Sequence, residues 1–124
     1  MTAGQIVLVD WRGGALPKEP NKVRPGIVVE DDGLFDESFP NVLIVPLTES
    51  DEFLVPSLTV TIEPTRENGC SKRFHAMSHS VSVTSKLRIV RLTPSRITTG
   101  QLNQIRSQIA ECIGFRLPHA EMRP

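Results

Sequence analysis

Arg24 and Thr48 are the side chains whose type and setting in this sequence suit phosphate chemistry. Arg24 precedes Pro25, which holds the arginine backbone extended, and its guanidinium can direct two N–H donors at phosphate oxygens. Thr48 and Ser50 follow an apolar run that contains Pro46, and the Thr48 hydroxyl could position a phosphate or a reacting hydroxyl. The alternative for Arg24 is an ordinary surface arginine, and for Thr48 a turn hydroxyl bonded to its own backbone.

Short apolar and alternating segments predict the strands that must position these side chains. The β-branched run after Pro25 predicts a strand covered on both faces, with Pro25 as its first residue because proline has no N–H for a ladder. By the same argument we expect Pro46 to end the next strand. The predicted strands are residues 5–11, 25–30, 41–47, 58–62, 73–79 and 87–92, with one helical turn at 34–39.

Residues 98–114 carry the signals of an α-helix. Thr98 stands three residues before Gln101, the spacing of a capping box, and Gly114 is placed to end the helix. Apolar side chains recur between them at helical intervals, at Leu102, Ile105, Ile109, Cys112 and Ile113. Short strands followed by one helix predict a mainly β fold (α+β), a small curved antiparallel sheet or β-barrel capped by the C-terminal helix.

Length and composition suit a single domain. The chain has 124 residues, and we expect one domain over residues 1–115 and a flexible tail over residues 116–124. Cys70 and Cys112 are far apart and form no CxxC motif, so we expect no zinc site and a core position for Cys112 in the helix. We find neither a signal peptide nor an apolar run of membrane-spanning length, so we expect a cytoplasmic protein without a membrane partner.

Four motifs in this order and spacing resemble the MazF/PemK family of bacterial toxins. They are the segment from Gly4 to Trp11, Glu19 five residues before Arg24, the Arg24 and Pro25 pair, and the turn at residues 46–50. The resemblance covers residues 4–115. It implies the SH3-like β-barrel with a C-terminal helix that MazF, PemK and CcdB toxins share, usually as a homodimer.

The resemblance also implies an activity and partners. Toxins of this family are ribosome-independent endoribonucleases of type II toxin–antitoxin systems, and they cleave single-stranded mRNA at a short sequence without a metal or other cofactor. The 2′-hydroxyl attacks the neighbouring phosphate, which leaves a cyclic phosphate and a free 5′-hydroxyl. The family's arginine and threonine carry over to Arg24 and Thr48 as catalytic residues, and the implied partners are single-stranded RNA and a cognate antitoxin protein.

The sequence departs from the family where some members carry Arg-x-Asp near the fifth strand. Met77, Ser78 and His79 stand there, so we expect His79 to act as the base or acid in place of a carboxylate. His75 would then lie on the same face of that strand. Lys18 occupies the place of a loop histidine that some members carry.

The remaining candidates are expected to contact RNA. Trp11 ends the first strand beside the loop at residues 12–24 and could stack on bases, whereas we expect Phe39 to pack in the core. The full RNA-binding set is Trp11, Lys18, Glu19, Lys22, Ser50 and His75.

Charge is balanced overall, with 14 basic and 14 acidic residues, but it is unevenly distributed. All charges from Glu30 to Glu52 are acidic, and from Arg66 to Arg96 all but Glu67 are basic. The basic segment forms a phosphate-attracting patch if it folds onto one face, and otherwise a solvated mixed surface.

Two other functions stay open. One is a non-catalytic toxin of the same fold that poisons DNA gyrase, as CcdB does. The other is a nucleic-acid-binding or regulatory module whose catalytic set has decayed. The combination of Arg24 and Thr48 favours the ribonuclease, whereas Met77 and His79 keep the degenerate module open.

Overall fold

The structure, a computed structural model, describes residues 1–11 and 23–115. In these ranges seven strands form one antiparallel sheet, which the helix α1 (Thr99–Cys112) follows. The strands are β1 (Gln5–Asp10), β2 (Val23–Val28), β3 (Asn41–Thr48), β4 (Thr59–Ile62), β5 (Phe74–Met77), β6 (Ser82–Ser85) and β7 (Ile89–Arg96). Short 3-10 turns lie at Pro56–Leu58, Ser78–Ser80 and Lys86–Arg88. The predicted tail at 116–124 and most of the predicted loop, at 12–22, lie outside the described residues.

The strand β3 is the centre of the sheet. It pairs with β2 along one side. On the other side its first part pairs with β6 and its last two residues pair with β5. The strand order β4-β5-β3-β2-β1-β7 confirms the predicted mainly β fold with one C-terminal helix. Between β4 and β7 the described strands form an open path, so the barrel is incompletely closed.

Both prolines lie inside strands, so the predicted strand ends at Pro25 and Pro46 were wrong. β2 begins at Val23, which makes Arg24 its second residue. β3 continues through Pro46 to Thr48. Pro46 lies between the part of β3 that pairs with β6 and the part that pairs with β5, and a missing N–H is tolerated where a ladder is interrupted.

Gly26 is required by packing across the ladder between β2 and β3. It pairs with Pro46, and a Cβ at this position would lie 2.5 Å from the Cγ2 atom of Ile44. No real Cβ tolerates such a distance, so the glycine lets β2 and β3 approach each other. This close approach sets the register that positions Arg24 relative to Thr48.

Apolar side chains are buried on both faces of the sheet. One cluster, which includes Ile27, Val45 and Ile62, packs with Leu102 and Ile105 of α1. The second cluster consists of the alternate residues of the same strands, Val7, Val9, Val28, Val42 and Ile44, and Trp11 and Ile89 pack against it. This confirms that the β-branched run of β2 is covered on both faces. Burial of each such side chain contributes roughly 1.5–3 kcal/mol.

The helix begins and ends where its signals predicted. The Gln101 N–H donates to Thr98 Oγ1 at 3.0 Å and the Thr98 N–H donates to Gln101 Oε1 at 2.9 Å, which completes the capping box. Gly114 has a φ of +81°, as the residue after a helix end often has. Cys112 is exposed, so its predicted core position was wrong. The buried face of α1 reaches Gln108, and the last turn extends beyond it.

Three local predictions also differ from the structure. Residues 34–39 form turns rather than a helical turn. Phe39 lies on the surface and stacks on Phe35 with ring centroids 4.4 Å apart, so its predicted core position was wrong. β5 ends at Met77 and His79 lies in the following 3-10 turn, so His75 and His79 do not share a strand face.

One hydroxyl side chain, one side-chain amide and one backbone carbonyl form a buried polar contact between α1 and the sheet. The Ser78 hydroxyl donates to Gln108 Oε1 at 2.7 Å, and the Gln108 amide donates to the Thr59 carbonyl at 3.3 Å. Because each buried polar group has a partner, the contact fixes how the helix sits on the sheet without an unsatisfied group.

In the described part of the chain, no helix has the length and apolar character to cross a membrane.

Candidate functional site

Arg24 and Thr48 line the same surface cleft. Gly26 pairs with Pro46 in the antiparallel ladder between β2 and β3. Arg24 lies two residues before Gly26, and Thr48 lies two residues after Pro46, so the two side chains are at the same level and on the same face of the sheet. The cleft has a volume of about 670 Å³. Its other lining residues include Trp11, Ser50 and Met77.

Arg24 combines an anchored backbone with an exposed side chain. It pairs with Val9 of β1, a residue fully buried in the second core cluster, so its backbone position is held by the sheet. Its side chain is exposed to solvent. Among the described residues, Arg24 is the one basic side chain that lines the cleft. The cleft is therefore suited to receive a phosphate at Arg24.

Thr48 and Ser50 start an ordered turn in the cleft. The Ser50 N–H donates to Thr48 Oγ1 at 3.1 Å, and the Glu52 N–H donates to Ser50 Oγ at 3.0 Å. Thr48 Oγ1 thus accepts a hydrogen bond from the backbone of its own turn. This bond uses an oxygen lone pair, so the hydroxyl hydrogen is still available for donation to a phosphate oxygen.

The two histidines that were predicted to share a strand, His75 and His79, lie in different settings. His79 is exposed in the turn Ser78–Ser80, and it is its neighbours Met77 and Ser80 that line the cleft. His75 is buried in β5, with Nε2 2.8 Å from Asp51 Oδ1 and Nδ1 3.0 Å from Thr61 Oγ1. The structure therefore brings neither imidazole into the lining of the cleft.

Trp11 is brought to the cleft, as its place in the sequence suggested. It is half-buried, and it packs against the second core cluster while lining the cleft beside Arg24. The predicted RNA contacts Lys18, Glu19 and Lys22 lie outside the described residues.

The basic side chains between residues 66 and 96 are dispersed rather than gathered at the cleft. Lys72 pairs with Glu49 at 2.9 Å and Arg73 pairs with Glu63 at 3.0 Å. Arg96 donates to Thr2 Oγ1 and to a backbone carbonyl near the N-terminus. The segment is therefore a solvated surface of mixed charge rather than a basic patch. In the cleft, attraction of a phosphate depends on Arg24.

A second cavity, of about 570 Å³, is lined mainly by acidic side chains among its charged groups. Four carboxylates line it, those of Glu30, Asp32, Asp36 and Glu37, together with Lys86. Hydrogen bonds from Ser38 lower the pKa of Asp36, which favours its ionised form. This cavity would repel a phosphate, so the cleft at Arg24 is the better candidate site.

Sequence reasoning missed three residues that form the site. Ser80 and Ser82 line the cleft, and Asp51 holds the turn that leads out of it to β5. The hydroxyl-rich segment at residues 78–85 was the available signal for the serines. Within residues 1–11 and 23–115, no three His, Cys, Asp or Glu side chains are grouped so that they could hold a metal ion.

Solved structures of MazF toxins have the same fold. An endoribonuclease in complex with its cognate antitoxin, from Mycobacterial species, matches with a TM-score of 0.70 and 17% identity over 95% of this chain and 99% of that chain. MazF from Deinococcus radiodurans matches with a TM-score of 0.71 and 15% identity over 93% and 97%. The Mycobacterium tuberculosis toxin MazF-mt6 matches with a TM-score of 0.66 and 14% identity over 91% and 99%. At these identities the likeness establishes the fold.

Family membership is established by the sequence. No curated protein matches the chain significantly. The family described as PemK-like, MazF-like toxin of type II toxin-antitoxin system matches residues 2–113, nearly the whole length. This chain therefore belongs to the PemK- and MazF-like toxins of type II toxin–antitoxin systems.

Proposed function

We propose that this toxin is an endoribonuclease that cleaves single-stranded mRNA through attack of a 2′-hydroxyl on the adjacent phosphate. The observation that carries the proposal is that Arg24 and Thr48 line one cleft on the same face of the sheet. The family supports it, and so does the fold shared with a toxin described as an endoribonuclease.

Arg24 is the electrostatic part of the mechanism. Negative charge on the phosphate oxygens grows as the 2′-oxygen attacks, so a guanidinium beside them binds the transition state more tightly than the ground state. The strand pairing of Arg24 with Val9 limits the backbone ordering that such a contact requires. The exposed side chain can reach a bound phosphate without unfolding any element.

Thr48 is a positioning group in this mechanism. A threonine hydroxyl is too weak an acid to be present as a free base near neutral pH. Its hydrogen can instead be donated to a phosphate oxygen or direct the 2′-hydroxyl, while the Ser50 N–H holds the oxygen in place. Trp11, at the same cleft, offers a ring on which a base can stack.

His79 is the proposed base or acid. His79 lies in the chain between Met77 and Ser80, which both line the cleft, so we propose that a change of its side-chain rotamer turns the imidazole toward a bound RNA. The site then has a cation for the phosphate, a hydroxyl for orientation and an imidazole that can transfer a proton.

The test is to incubate the purified protein with a long single-stranded RNA in EDTA and to map the new ends. We expect cleavage at a short recurring sequence, with cyclic phosphate and 5′-hydroxyl ends. An RNA with a 2′-deoxynucleotide at the mapped site should resist cleavage there. Arg24→Ala should lose the activity, whereas Arg91→Ala, which removes an exposed cation outside the cleft, should keep it. Intact RNA after incubation with wild-type protein would refute the proposal.

We also propose a homodimer and a cognate antitoxin that competes with RNA. The mycobacterial endoribonuclease of the same fold was solved with its antitoxin, which supports an antitoxin as a partner of this chain. Exposed apolar side chains on β7, Val90 and Leu92, support association of two copies. Sedimentation at micromolar concentration should give a dimer. Simultaneous binding of the antitoxin and an uncleavable RNA without competition would contradict the shared site.

A further inference from the structure

Phe53 has two features that the stability of the fold does not explain. Its side chain is 91% exposed, so its apolar ring gains almost nothing from burial. Its φ of +60° lies in the left-handed region, which residues with a Cβ rarely adopt. Among the described residues, no other non-glycine residue has a positive φ. Strained backbone of this kind persists where the surrounding structure imposes it, and it is concentrated at binding sites.

A hydrogen bond between Asp51 and His75 connects the loop that carries Phe53 to the sheet. Asp51, two residues before Phe53, accepts a hydrogen bond from the buried ring of His75 at 2.8 Å. The other ring nitrogen of His75 lies 3.0 Å from Thr61 Oγ1. Because His75 is buried in β5, which lies between β4 and β3, this contact fixes the loop rather than leaving it free to fold back over the ring.

The same loop begins in the cleft. Thr48 and Ser50 line the cleft, and their successive hydrogen bonds lead directly to Glu52, the residue before Phe53. Four residues lie between Thr48 and Phe53, so the five steps along the chain limit the distance between their Cα atoms to about 18 Å. The ring is therefore within the span of a few nucleotides from a phosphate held at Thr48.

The charges around the ring favour a base over a phosphate. The loop carries Glu49, Asp51 and Glu52, of which Glu49 is paired with Lys72 and Asp51 with His75. These carboxylates would repel a phosphate close to the ring, whereas a nucleobase carries no charge. Every base also has a π-face that an aromatic ring can stack on.

We propose that Phe53 is a base-stacking site for the single-stranded RNA whose phosphate is held at Arg24 and Thr48. This inference rests on the proposed function. The stack forms equally in the ground state and the transition state, so Phe53 contributes to RNA binding and not to the chemical step. His75 and Asp51 are positioning residues that hold the ring in place.

The first experiment measures the binding of an RNA oligonucleotide that spans the mapped cleavage site and has a 2′-deoxynucleotide at that site. Phe53→Gly removes the ring and accepts the left-handed φ without strain, so the variant should fold. We expect its Kd to rise about 5- to 150-fold, the range of one base–aromatic stack, while kcat stays within about twofold of wild type. Phe53→Tyr should retain the affinity, whereas Phe53→Leu should not. Leu87→Ala removes an apolar side chain of similar exposure, 96%, outside the cleft and should leave the Kd unchanged.

The second experiment identifies the stacked base. Oligonucleotides with one abasic nucleotide at successive positions should each be compared on wild type and on Phe53→Gly. At the stacked position, removing the base should weaken binding to wild type but not to the variant, because the contact is already lost. Additive losses at every position would overturn the inference.

The outcomes separate this inference from the proposed function. If wild-type protein neither cleaves nor binds RNA, the proposed function fails and this inference fails with it. If wild type cleaves RNA and Phe53→Gly keeps the wild-type Kd and KM, the inference alone is overturned. If Phe53→Gly loses affinity for the antitoxin but not for RNA, Phe53 is a contact for the antitoxin, and the inference is likewise overturned.

Discussion

Thr48 and His75 lie directly opposite each other in the antiparallel ladder between β3 and β5, so their side chains stand side by side on one face of the sheet. His75 faces Thr61 across the next ladder and contacts Asp51 in the loop that follows Thr48. A buried imidazole thus connects the candidate phosphate site with the loop that presents Phe53.

The first prediction concerns this connection. Asp51→Ala should leave the melting temperature almost unchanged, because the Asp51 side chain is 88% exposed and such pairs contribute about 0–1 kcal/mol. It should nevertheless speed amide hydrogen exchange at residues 49–55 and weaken RNA binding in the way that Phe53→Gly does. Glu52→Ala, in the same loop but without the contact to His75, is the control. Unchanged exchange in Asp51→Ala would show that the pair does not hold the loop.

The second prediction concerns Arg24 and Thr48. Arg24→Ala should lower kcat by about 10²–10³, or about 3–4 kcal/mol, by analogy with the removal of one oxyanion-hole donor. Arg24→Lys should recover part of the activity, because the charge stays but the paired donors are lost. The melting temperature should hardly change, since the side chain is exposed. If the two residues act as a unit, the losses in Arg24→Ala and Thr48→Ala will not add in the double variant. An Arg24→Ala protein that folds and cleaves at the parental rate would refute its role.

The third prediction concerns the base. If His79 takes the proton of the 2′-hydroxyl, kcat/KM should rise with pH as this side chain loses its proton, because only the neutral imidazole can accept one. His79→Ala should flatten this profile and cost about 10²–10⁴ in rate. His75→Gln, measured in parallel, should keep the profile because the ring of His75 is buried with both nitrogens engaged. If the pH profile of kcat/KM is unchanged in His79→Ala, His79 is not the base.

The fourth prediction compares two glycines. Gly26→Ala should destabilise the fold by about 1–3 kcal/mol, because the new methyl group would overlap Ile44 in the core. Gly100→Ala is the matched control, since its nearest neighbour would be Thr98 Oγ1 at 3.8 Å and alanine favours a helix. It should stabilise the protein by about 0.4–1 kcal/mol. Urea denaturation measures both, and equal effects would contradict the packing argument.

The fifth prediction concerns the two thiols. Burial raises the pKa of the Cys70 thiol, so at a given pH less of it is the reactive thiolate. Cys112 is exposed near the end of α1. Iodoacetamide at pH 8 should therefore modify Cys112 before Cys70, and unfolding in urea should remove the difference. Mass spectrometry of the peptides gives the order, and faster labelling of Cys70 in the folded protein would contradict it.

Local signals in the sequence determined the helix and the identity of most strands. The capping box at Thr98 and Gln101 and the glycine at position 114 act through contacts within a few residues, so their effect can be recognised without the rest of the fold. The β-branched run after Pro25 likewise predicted a strand buried on both faces. The family motifs at residues 4–50 pointed to the fold that the sheet has.

Contacts between distant segments decided the rest. The exposed positions of Phe39 and Cys112 depend on where the sheet and the buried face of α1 end, which no local pattern specifies. Pro46 stays inside β3 because two different strands, β6 and β5, share that edge on either side of it. The sequence alone placed His75 and His79 on one strand face, whereas the structure turns the chain after Met77 and separates them.

The candidate site shows most clearly which features follow from local sequence and which follow from contacts between distant segments. Sequence by itself determined that a guanidinium after β1 and a hydroxyl after an apolar run were available, because residue type and the stiffness of proline are local properties. Only the tertiary structure decided that Arg24 and Thr48 share a cleft, since this follows from the pairing of Gly26 with Pro46. A register shift of one residue would have placed one of the two side chains on the opposite face of the sheet, and register is set by packing across strands rather than by either strand alone.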